Sequence, residues 1–312
     1  MKEMESCEKL VIAVASSALF DLRESHRVFE NEGEDAYARY QRAHEAEAFA
    51  PGPAFHLVRK LLALNDARPH QVEVILLSRN SADTSLRIFN SLRHHELEIS
   101  RAAFTRGAPP YRYAAAFGAH LFLSTDPGDV RLALHAGIAA ATVLGPLVGL
   151  SADEIVRIAF DGDAVLFSDE AERVFAESGL DAFTRSEIAA RHIPLPGGPF
   201  QPFLARLHRI QAQYSAHACP IRTALVTARC APAHERVVRT LRFWDIRIDE
   251  ALFLGGMDKG PFLKSFGADI FFDDQQRNCD AAAGYVQAAH VPYGVKNAAA
   301  PASMRLQQAL QE

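Results

Sequence analysis

The residues best suited to chemistry are two acidic pairs in the second half of the chain, each following an apolar run. Asp161 and Asp163 are separated by a single glycine. If the backbone turns at Gly162, both carboxylates can face one pocket, one as a nucleophile and the other as a general acid. The second pair, Asp273 and Asp274, would suit a hard cation such as Mg²⁺, which prefers oxygen ligands.

Three further polar residues follow apolar runs in the same half. A hydroxyl at Thr227 could hold a phosphoryl oxygen, and Arg229 and Lys259 could supply positive charge. Each residue alone also has a structural explanation: the threonine as a helix N-cap, the lysine as a surface charge, and the acidic pair 273–274 as a solvated turn. Their order along the chain, with each at or near the end of its own strand, favours one shared site.

Apolar runs alternate with amphipathic helical patterns along the whole chain, which predicts an α/β fold with parallel strands and helices between them. In such sheets ligands bind beyond the carboxyl ends of the strands. The predicted strands are 10–15, 72–77, 102–104, 120–123, 156–160, 222–226, 251–254 and 269–272. The predicted helical segments are 54–64, 84–93, 126–137, 200–213 and 233–242.

The chain contains an internal repeat. Residues 102–125 align without a gap to residues 251–274, and the apolar runs 72–78 and 221–227 share the same offset of 149. A third pair of segments, LVIAVASSALFD and VRIAFDGDAVLF, matches at an offset of 146. Matches in the same order indicate two similar halves, which we assign to residues 1–150 and 151–312.

The motifs RIAFDGDAVLF, Thr227, Lys259 and Asp273-Asp274 resemble the four motifs of the haloacid dehalogenase superfamily of phosphatases. Nearly the whole chain is similar to the cytosolic 5'-nucleotidase type I family, in segments such as SSALFDLRESHRVFE, VEVILLSRNSADTSLRIFNS and VTARCAPAHERV. The resemblance implies two tandem Rossmann-like domains and a Mg²⁺-dependent phosphatase that acts on nucleoside 5'-monophosphates, typically AMP.

Carried onto this sequence, the resemblance implies a role for each motif residue. Asp161 would be the nucleophile, and Asp163 would protonate the leaving 5'-oxygen and then activate water. Thr227 and Lys259 would bind the transferring phosphoryl group. The metal ligands would be Asp161, the backbone carbonyl of Asp163, Asp273 and Asp274. A sugar-phosphate phosphatase, a nucleoside phosphotransferase and a non-catalytic nucleotide-sensing protein are the alternatives.

The segment between the first and second motifs is predicted to form a small helical cap, at about residues 168–215. A cap excludes water and contacts the part of the substrate that is not phosphate. Phe183, Phe200 and Phe203 could stack on a base, although packing inside the cap explains each of them equally well.

The repeat indicates that the first half has lost the chemistry. Alanine, serine and proline stand at the positions of the two catalytic aspartates and the lysine, and hydroxyls replace the second acidic pair; these residues are Ala15, Ser17, Pro110, Ser124 and Thr125. We therefore predict a non-catalytic copy that serves as a packing partner, a wall of the active site or a site for a nucleotide effector. Ser16, Ser17, Ser78, Arg79 and Asn80 could bind phosphate there, or could be ordinary turn and cap residues.

Composition excludes several other classes. The formal net charge is -5, and no run dense in lysine or arginine offers a face for nucleic acid. The longest apolar stretch, 132–150, contains a histidine, three glycines and a proline, so it predicts a helix followed by a strand rather than a membrane span. Four scattered cysteines without metal-ligand spacing fit a reducing cytoplasm. A homo-oligomer is implied by the family resemblance alone.

Overall fold

A computed structural model describes residues 9–147 and 153–298 of the chain. Its strands form one ten-stranded sheet in the order β3-β2-β1-β4-β5-β10-β9-β6-β7-β8. The strands are β1 (Leu10–Ala15), β2 (Val72–Ser78), β3 (Arg101–Phe104), β4 (Leu121–Ser124), β5 (Ala140–Val143), β6 (Val156–Phe160), β7 (Ile221–Thr227), β8 (Glu250–Phe253), β9 (Ile270–Asp273) and β10 (Ala288–His290).

All eight strands predicted from the apolar runs are present, and the strand predicted after the helix in 132–150 is β5. Strand β10 was missed because it has only three residues, Ala288–His290, two of which are alanines. The predicted alternation with helices is also present, so the α/β class is confirmed.

The described helices lie between the strands in sequence. They are α1 (Ser16–Leu19), α2 (Arg23–Ala43), α3 (Phe55–Ala67), α4 (Leu86–His94), α5 (Pro127–His135), α6 (Glu170–Ala189), α7 (Gln201–Gln211), α8 (His234–Phe243), α9 (Gly260–Phe266) and α10 (Gln276–Ala282). A short 3₁₀ helix covers Pro110–Tyr113, and a π-helical turn covers Gly162–Leu166.

The two sets of five strands have the same internal order, since β3-β2-β1-β4-β5 on one side corresponds to β8-β7-β6-β9-β10 on the other. Every described strand pair is parallel except β5 with β10, which pair antiparallel. The sequence predicted parallel sheets in two tandem domains, whereas both sets of strands belong to a single sheet. The predicted boundary between residues 150 and 151 falls outside the described residues.

The antiparallel junction decides where the functional edges lie. Because the two sets of strands run in opposite directions, their carboxyl ends meet at opposite edges of the continuous sheet. The strand ends of the first half therefore do not line the same edge as the acidic pairs of the second half. A buried ion pair also links the halves: Lys60 Nζ of α3 donates to Asp269 Oδ1 at 2.8 Å.

Helices pack on both faces of the sheet because neighbouring strand residues point in opposite directions. On β6, Ile158 and Phe160 belong to a large core that includes α3 and α7, whereas Ala159 belongs to a smaller core with α9 and α10. Helix α7 is thus part of the sheet-packing layer, since Phe203, Leu204 and Leu207 are fully buried.

The repeat extends to the helices that precede α3 and α7. Helices α2 and α6 are both broken at a glycine with positive φ, Gly33 at φ 83° and Gly179 at φ 77°. Only glycine adopts this conformation without steric cost. The first half therefore carries a counterpart of α6, which the sequence analysis did not predict.

The hydrogen bonds of one buried arginine are also the same in the two halves. Arg87 Nη1 donates to Gln41 in the first half, and Arg236 Nη1 donates to Glu187 in the second. Each guanidinium also donates through Nε to a backbone carbonyl, that of Glu47 or Ile193 respectively. All three pairs of residues are separated by 146 or 149 positions, so the repeat is one of side-chain contacts as well as of strand order.

Within residues 9–147 and 153–298, no helix is both long enough and apolar enough to cross a membrane. The three cysteines in this part of the chain, Cys219, Cys230 and Cys279, are free thiols. The fourth, Cys7, lies outside the described residues.

Candidate active site

The ends of β6 and β9 and the start of α9 bring four predicted site residues together. Lys259 Nζ donates to Asp161 Oδ1 at 2.7 Å and to Asp273 Oδ2 at 2.6 Å. All three side chains are almost completely buried. Oxygen atoms of Asp161, Asp273 and Asp274 lie within 4.8 Å of one another. The arrangement is a buried cluster of three carboxylates against one ammonium group.

This charge balance indicates that a cation is needed. Both carboxylate oxygens of Asp274 are buried, and neither has a hydrogen-bond donor among the described residues. Burial raises the pKa of Asp274 to about 10, with a further contribution from the Asp161 carboxylate. A divalent ion ligated by hard oxygen atoms fits the site, since it would supply the positive charge that the orphaned oxygens lack.

The pKa of Asp161 responds to the same environment. Burial raises it to about 7, while the Lys259 ammonium acts in the opposite direction by favouring the ionised form. The two carboxylates raise the pKa of Lys259 above its ordinary value despite burial. The lysine is therefore charged, and it favours the anionic form of Asp161.

Two asparagines and a backbone amide hold the second acidic pair in place. Asn278 Nδ2 donates to both carboxylate oxygens of Asp273 at 3.1 Å, and the backbone N–H of Gln275 donates to Asp273 Oδ1 at 2.8 Å. Asn297 Nδ2 donates to the carbonyl oxygen of Asp274 at 2.8 Å. These contacts fix the turn after β9, so that both acidic side chains can face the cluster.

Asp163 lies apart from the carboxylate cluster because an arginine holds it. Arg229 Nη2 and Nε donate to Asp163 Oδ1 and Oδ2 at 2.7 and 2.8 Å. The same guanidinium donates through Nη1 to the buried Glu187 of α6. The sequence suggested Arg229 as a source of positive charge for a phosphate. In the structure its guanidinium binds two carboxylates instead, and it thereby connects Asp163 to α6.

The backbone between Asp161 and Asp163 leaves β6 through the π-helical turn. Ala164 has φ 60°, and two more residues lie between the end of β6 and the bridge at Phe167 than between the end of β1 and the bridge at Phe20. A Cβ at Gly162 would lie 3.3 Å from Thr227 Oγ1. Glycine at this position therefore keeps the space beside the threonine hydroxyl open. Thr227 Oγ1 accepts a hydrogen bond from the backbone N–H of Arg229 at 3.2 Å.

The aromatic candidates separate into two groups. Phe200 and Phe203 are fully buried and pack against Phe160, so they are core residues. Phe183 is half-buried, and its ring lies 5.4 Å from the Arg229 guanidinium carbon. It also makes an edge contact with Phe175, which is 46% exposed and which the sequence analysis did not single out.

Glu172 is a further site residue that the sequence analysis missed. Its Oε1 accepts from Gln275 Nε2 at 3.1 Å, and its buried Oε2 has no donor within the described ranges. Burial raises its pKa to about 7, and the Asp163 carboxylate contributes in the same direction. Its sequence context, in the acidic stretch SDEAER, is typical of an exposed helix start and carried no signal of this placement.

Comparison with known proteins gives a family for this site. The sequence model of the 5'-nucleotidase family matches residues 2–298. Human cytosolic 5'-nucleotidase 1B is 39% identical over 286 residues, which cover 88% of this chain and 47% of that protein. The chain therefore spans about half the length of this curated relative.

Among solved structures, a histidinol dehydrogenase from Elizabethkingia anophelis aligns over 90% of this chain and 52% of its own, at 10% identity and a TM-score of 0.23. A similarity at this level does not bear on the fold or on the site. The family match, by contrast, covers both halves and every residue of the carboxylate cluster. The chain belongs to the 5'-nucleotidase family.

Proposed function

We propose that this chain hydrolyses nucleoside 5'-monophosphates such as AMP to nucleoside and phosphate. The observation that carries the proposal is the buried cluster of Asp161, Asp273 and Asp274 around Lys259, in a chain of the 5'-nucleotidase family. Such a cluster suits phosphoryl transfer, which depends on positioning and on neutralising the charge of the phosphoryl oxygens.

In the proposed reaction a carboxylate oxygen of Asp161 attacks phosphorus, and the bond from phosphorus to the 5'-oxygen breaks. Asp163 donates its proton to the departing 5'-oxygen. The aspartyl phosphate on Asp161 is then hydrolysed by water, from which Asp163 takes a proton. Thr227 and Lys259 hold the phosphoryl oxygens during both steps.

The metal ion of this reaction would be Mg²⁺, held by carboxylates of Asp161, Asp273 and Asp274 and by the backbone carbonyl of Asp163. When bound, it supplies positive charge that offsets repulsion between these carboxylates and the incoming phosphate. The orphaned oxygens of Asp274 support this assignment.

Arg229 has a positioning role in this scheme. Its guanidinium holds both oxygens of Asp163 and is itself held by Glu187 of α6. Helix α6 would act as the cap over the nucleoside, with Phe175 and Phe183 beside the base. This cap is shorter than the 168–215 of the sequence analysis because α7 packs in the core. The proposed division is a non-catalytic half at 1–150 and a catalytic half at 151–312.

The direct test is phosphate release from AMP, IMP, CMP, UMP and ribose 5-phosphate, with Mg²⁺ and with EDTA. We expect metal-dependent release from nucleotides, and we expect Asp161→Asn to reduce it by at least about a thousand-fold, because the nucleophile is lost. Asp153→Asn, at an exposed position before β6, is the matched control and should leave the rate unchanged.

Other outcomes would point to the alternatives. Release from ribose 5-phosphate alone would favour a sugar-phosphate phosphatase, and transfer to added nucleoside in place of water would favour a phosphotransferase. Absence of release from every substrate would favour a nucleotide-sensing protein. A nucleotide effector, a homo-oligomer and a cytoplasmic location stay predictions from the sequence.

A further inference from the structure

A cavity of about 1170 Å³ opens at the carboxyl ends of β1, β2 and β4 in the first half. Its walls include Ser16, Ser17, Ser124 and Thr125, the residues that correspond to the acidic site of the second half. Binding cavities for small molecules have volumes of roughly 300–1,000 Å³, so this space can hold a ligand of nucleotide size. It lies at the opposite edge of the sheet from the acidic cluster, because β5 and β10 are antiparallel.

Every acidic side chain that lines this cavity has an arginine partner. The three carboxylates of the second half are replaced by Ala15, Ser124 and Thr125. The remaining acidic side chains at the wall have arginine partners: Asp21 pairs with Arg23, Glu34 with Arg106, and Asp126 and Asp129 share Arg79. An anion entering the cavity would therefore meet no cluster of unpaired carboxylates.

The strand ends offer hydrogen-bond donors instead. The hydroxyls of Ser16 and Ser78 lie 2.9 Å apart, and Thr125 Oγ1 donates to Ser17 Oγ at 2.6 Å. Asn80 Nδ2 is a buried donor with no acceptor in the described part of the chain. A buried donor without a partner costs free energy, so it indicates a position where a ligand acceptor would be favourable.

Arg79 supplies the positive charge that Lys259 supplies in the second half. Its guanidinium donates to Asp129 at 2.7 Å and to the carbonyl oxygen of Gly107 at 2.6 Å. These partners correspond in the repeat to Asn278, which donates to Asp273, and to Gly256. The side chain is 41% exposed, so it can also meet a ligand in the cavity.

The far wall of the cavity is aromatic. Phe29 and Tyr37 of α2 make an edge contact with ring centroids 5.9 Å apart, as Phe175 and Phe183 do in the second half. Phe29 is 47% exposed. Tyr37 Oη donates to Asn80 Oδ1 at 3.0 Å, which turns the unpartnered amide NH₂ group of Asn80 away from the tyrosine. An aromatic surface thus stands next to the polar strand ends.

We propose that the first half binds a nucleoside phosphate in this cavity, without a metal ion and without hydrolysing it. The phosphate would lie at the hydroxyls and Asn80 beside Arg79, and the base would stack on Phe29. The cavity combines the two recognition features of the proposed active site and lacks its nucleophile and metal ligands. The proposal concerns binding alone, so it can fail or succeed independently of the hydrolytic activity.

The test is calorimetric titration of the full chain with AMP in EDTA, where the three carboxylates of the second half disfavour a dianion. We expect one saturable site per chain. Asn80→Asp keeps the acceptor for Tyr37 and replaces the orphaned donor with a negative charge, so affinity should fall at least about tenfold. Phe29→Ala, at a largely exposed ring, should weaken AMP but not inorganic phosphate.

Variants of the proposed active site show at which of the two sheet edges AMP binds. Thr227→Val and Phe175→Ala should leave the metal-free affinity unchanged, because both residues belong to the opposite edge. The proposal is overturned if AMP gives no heat at millimolar concentration, or if Thr227→Val weakens binding and Asn80→Asp does not. It is also overturned if adenosine or inorganic phosphate alone binds as tightly as AMP, since neither fills both parts of the cavity.

Discussion

The two halves of this molecule share strand order, kinked helices and buried arginine contacts, and they differ at the ends of two strands in each half. In the second half these ends carry Asp161, Asp273 and Asp274, which surround Lys259. In the first half they carry an alanine and two hydroxyl residues, and Arg79, directly after β2, supplies a positive charge. The scaffold is thus kept where the proposed chemistry is absent.

Comparing the two halves distinguishes recognition of a phosphate ester from its hydrolysis, two properties that a single active site combines. Arg229 and Asn80 occupy matched positions, and each lies beside an aromatic ring of the kinked helix of its half, whereas the cluster of three buried carboxylates occurs only in the second half of the described chain. Recognition of a phosphate ester needs donors and a stacking surface. Hydrolysis additionally needs a nucleophile and a cation, and the residues proposed for both roles lie in the second half.

Among the variants that test this difference between the halves, Lys259→Met is expected to have the largest effect on activity. The variant removes the ammonium group that contacts Asp161 and Asp273. We expect kcat/KM for AMP to fall about 10²–10³-fold, because a fixed charge at the phosphoryl oxygens is lost. Lys264→Met, at an exposed position on the same helix, should leave kcat/KM unchanged.

Folding must be checked for Lys259→Met, since buried carboxylates lose their partner. Circular dichroism in saturating Mg²⁺ should show a native spectrum. A native protein whose kcat/KM falls less than about tenfold would show that the metal charge alone suffices, which would contradict the role assigned to the lysine.

The next effect concerns the cation that only the second half should bind. Saturating Mg²⁺ should raise the melting temperature of the wild type by roughly 5 °C, which corresponds to about 2.7 kcal/mol at a hundredfold excess over Kd. Asp274→Asn should melt higher than the wild type in EDTA at neutral pH, because burial keeps the Asp274 carboxyl protonated where the unfolded chain would ionise it, whereas an amide does not titrate. The same variant should lose most of the Mg²⁺-dependent increase.

Asp280→Asn is the matched control for the thermal experiment, since this aspartate lies exposed on α10. It should keep the full response to Mg²⁺. An undiminished Mg²⁺ response in Asp274→Asn would place the ion elsewhere and would remove the assignment of the acidic cluster.

Much of this arrangement could be predicted from sequence because the strands are short apolar runs with polar ends. Asp161 and Asp273 follow such runs, and parallel strands bring their ends to one edge. The opposite orientation of the two edges could not be predicted, since it depends on β5 pairing antiparallel with the three-residue strand β10. No local pattern in the sequence encodes that pairing.

Contacts between charged side chains could not be predicted from the sequence either. Arg229 follows a strand like a phosphate ligand, and its actual partners Asp163 and Glu187 lie 66 and 42 residues away. Glu172 has the sequence context of an exposed helix start. Contacts of this kind depend on the packing of α6 over the sheet, which propensity and periodicity do not specify.

A smaller effect is expected where the repeat differs by one functional group. Glu187 and Gln41 occupy matched positions beside matched arginines. In Glu187→Gln, Arg229 loses one of its two anionic partners, so it holds the Asp163 carboxyl group less firmly in the position from which it would protonate the leaving group. We expect kcat for AMP to fall about tenfold with little change in KM.

The leaving group distinguishes this positioning role from a general loss of structure. Hydrolysis of p-nitrophenyl phosphate needs little protonation of its leaving group, so its kcat should fall much less than that of AMP. Gln41→Glu, the reverse change in the first half, should leave both rates unaltered. Equal losses for the two substrates would count against a role for Glu187 that acts through Asp163.

The smallest effect concerns the aromatic pair over the proposed active site. Phe175 is 46% exposed, so Phe175→Ala should not affect folding, but it removes a surface on which a base can stack. Loss of such stacking should raise KM for AMP about five- to tenfold. KM for ribose 5-phosphate, which has no base, should stay constant, as should both values in Leu180→Ala at an exposed position of the same helix. If KM rises equally for both substrates, the pair contributes to closing α6 over the phosphate rather than to recognising the base, and the likeness of the two aromatic walls is then structural.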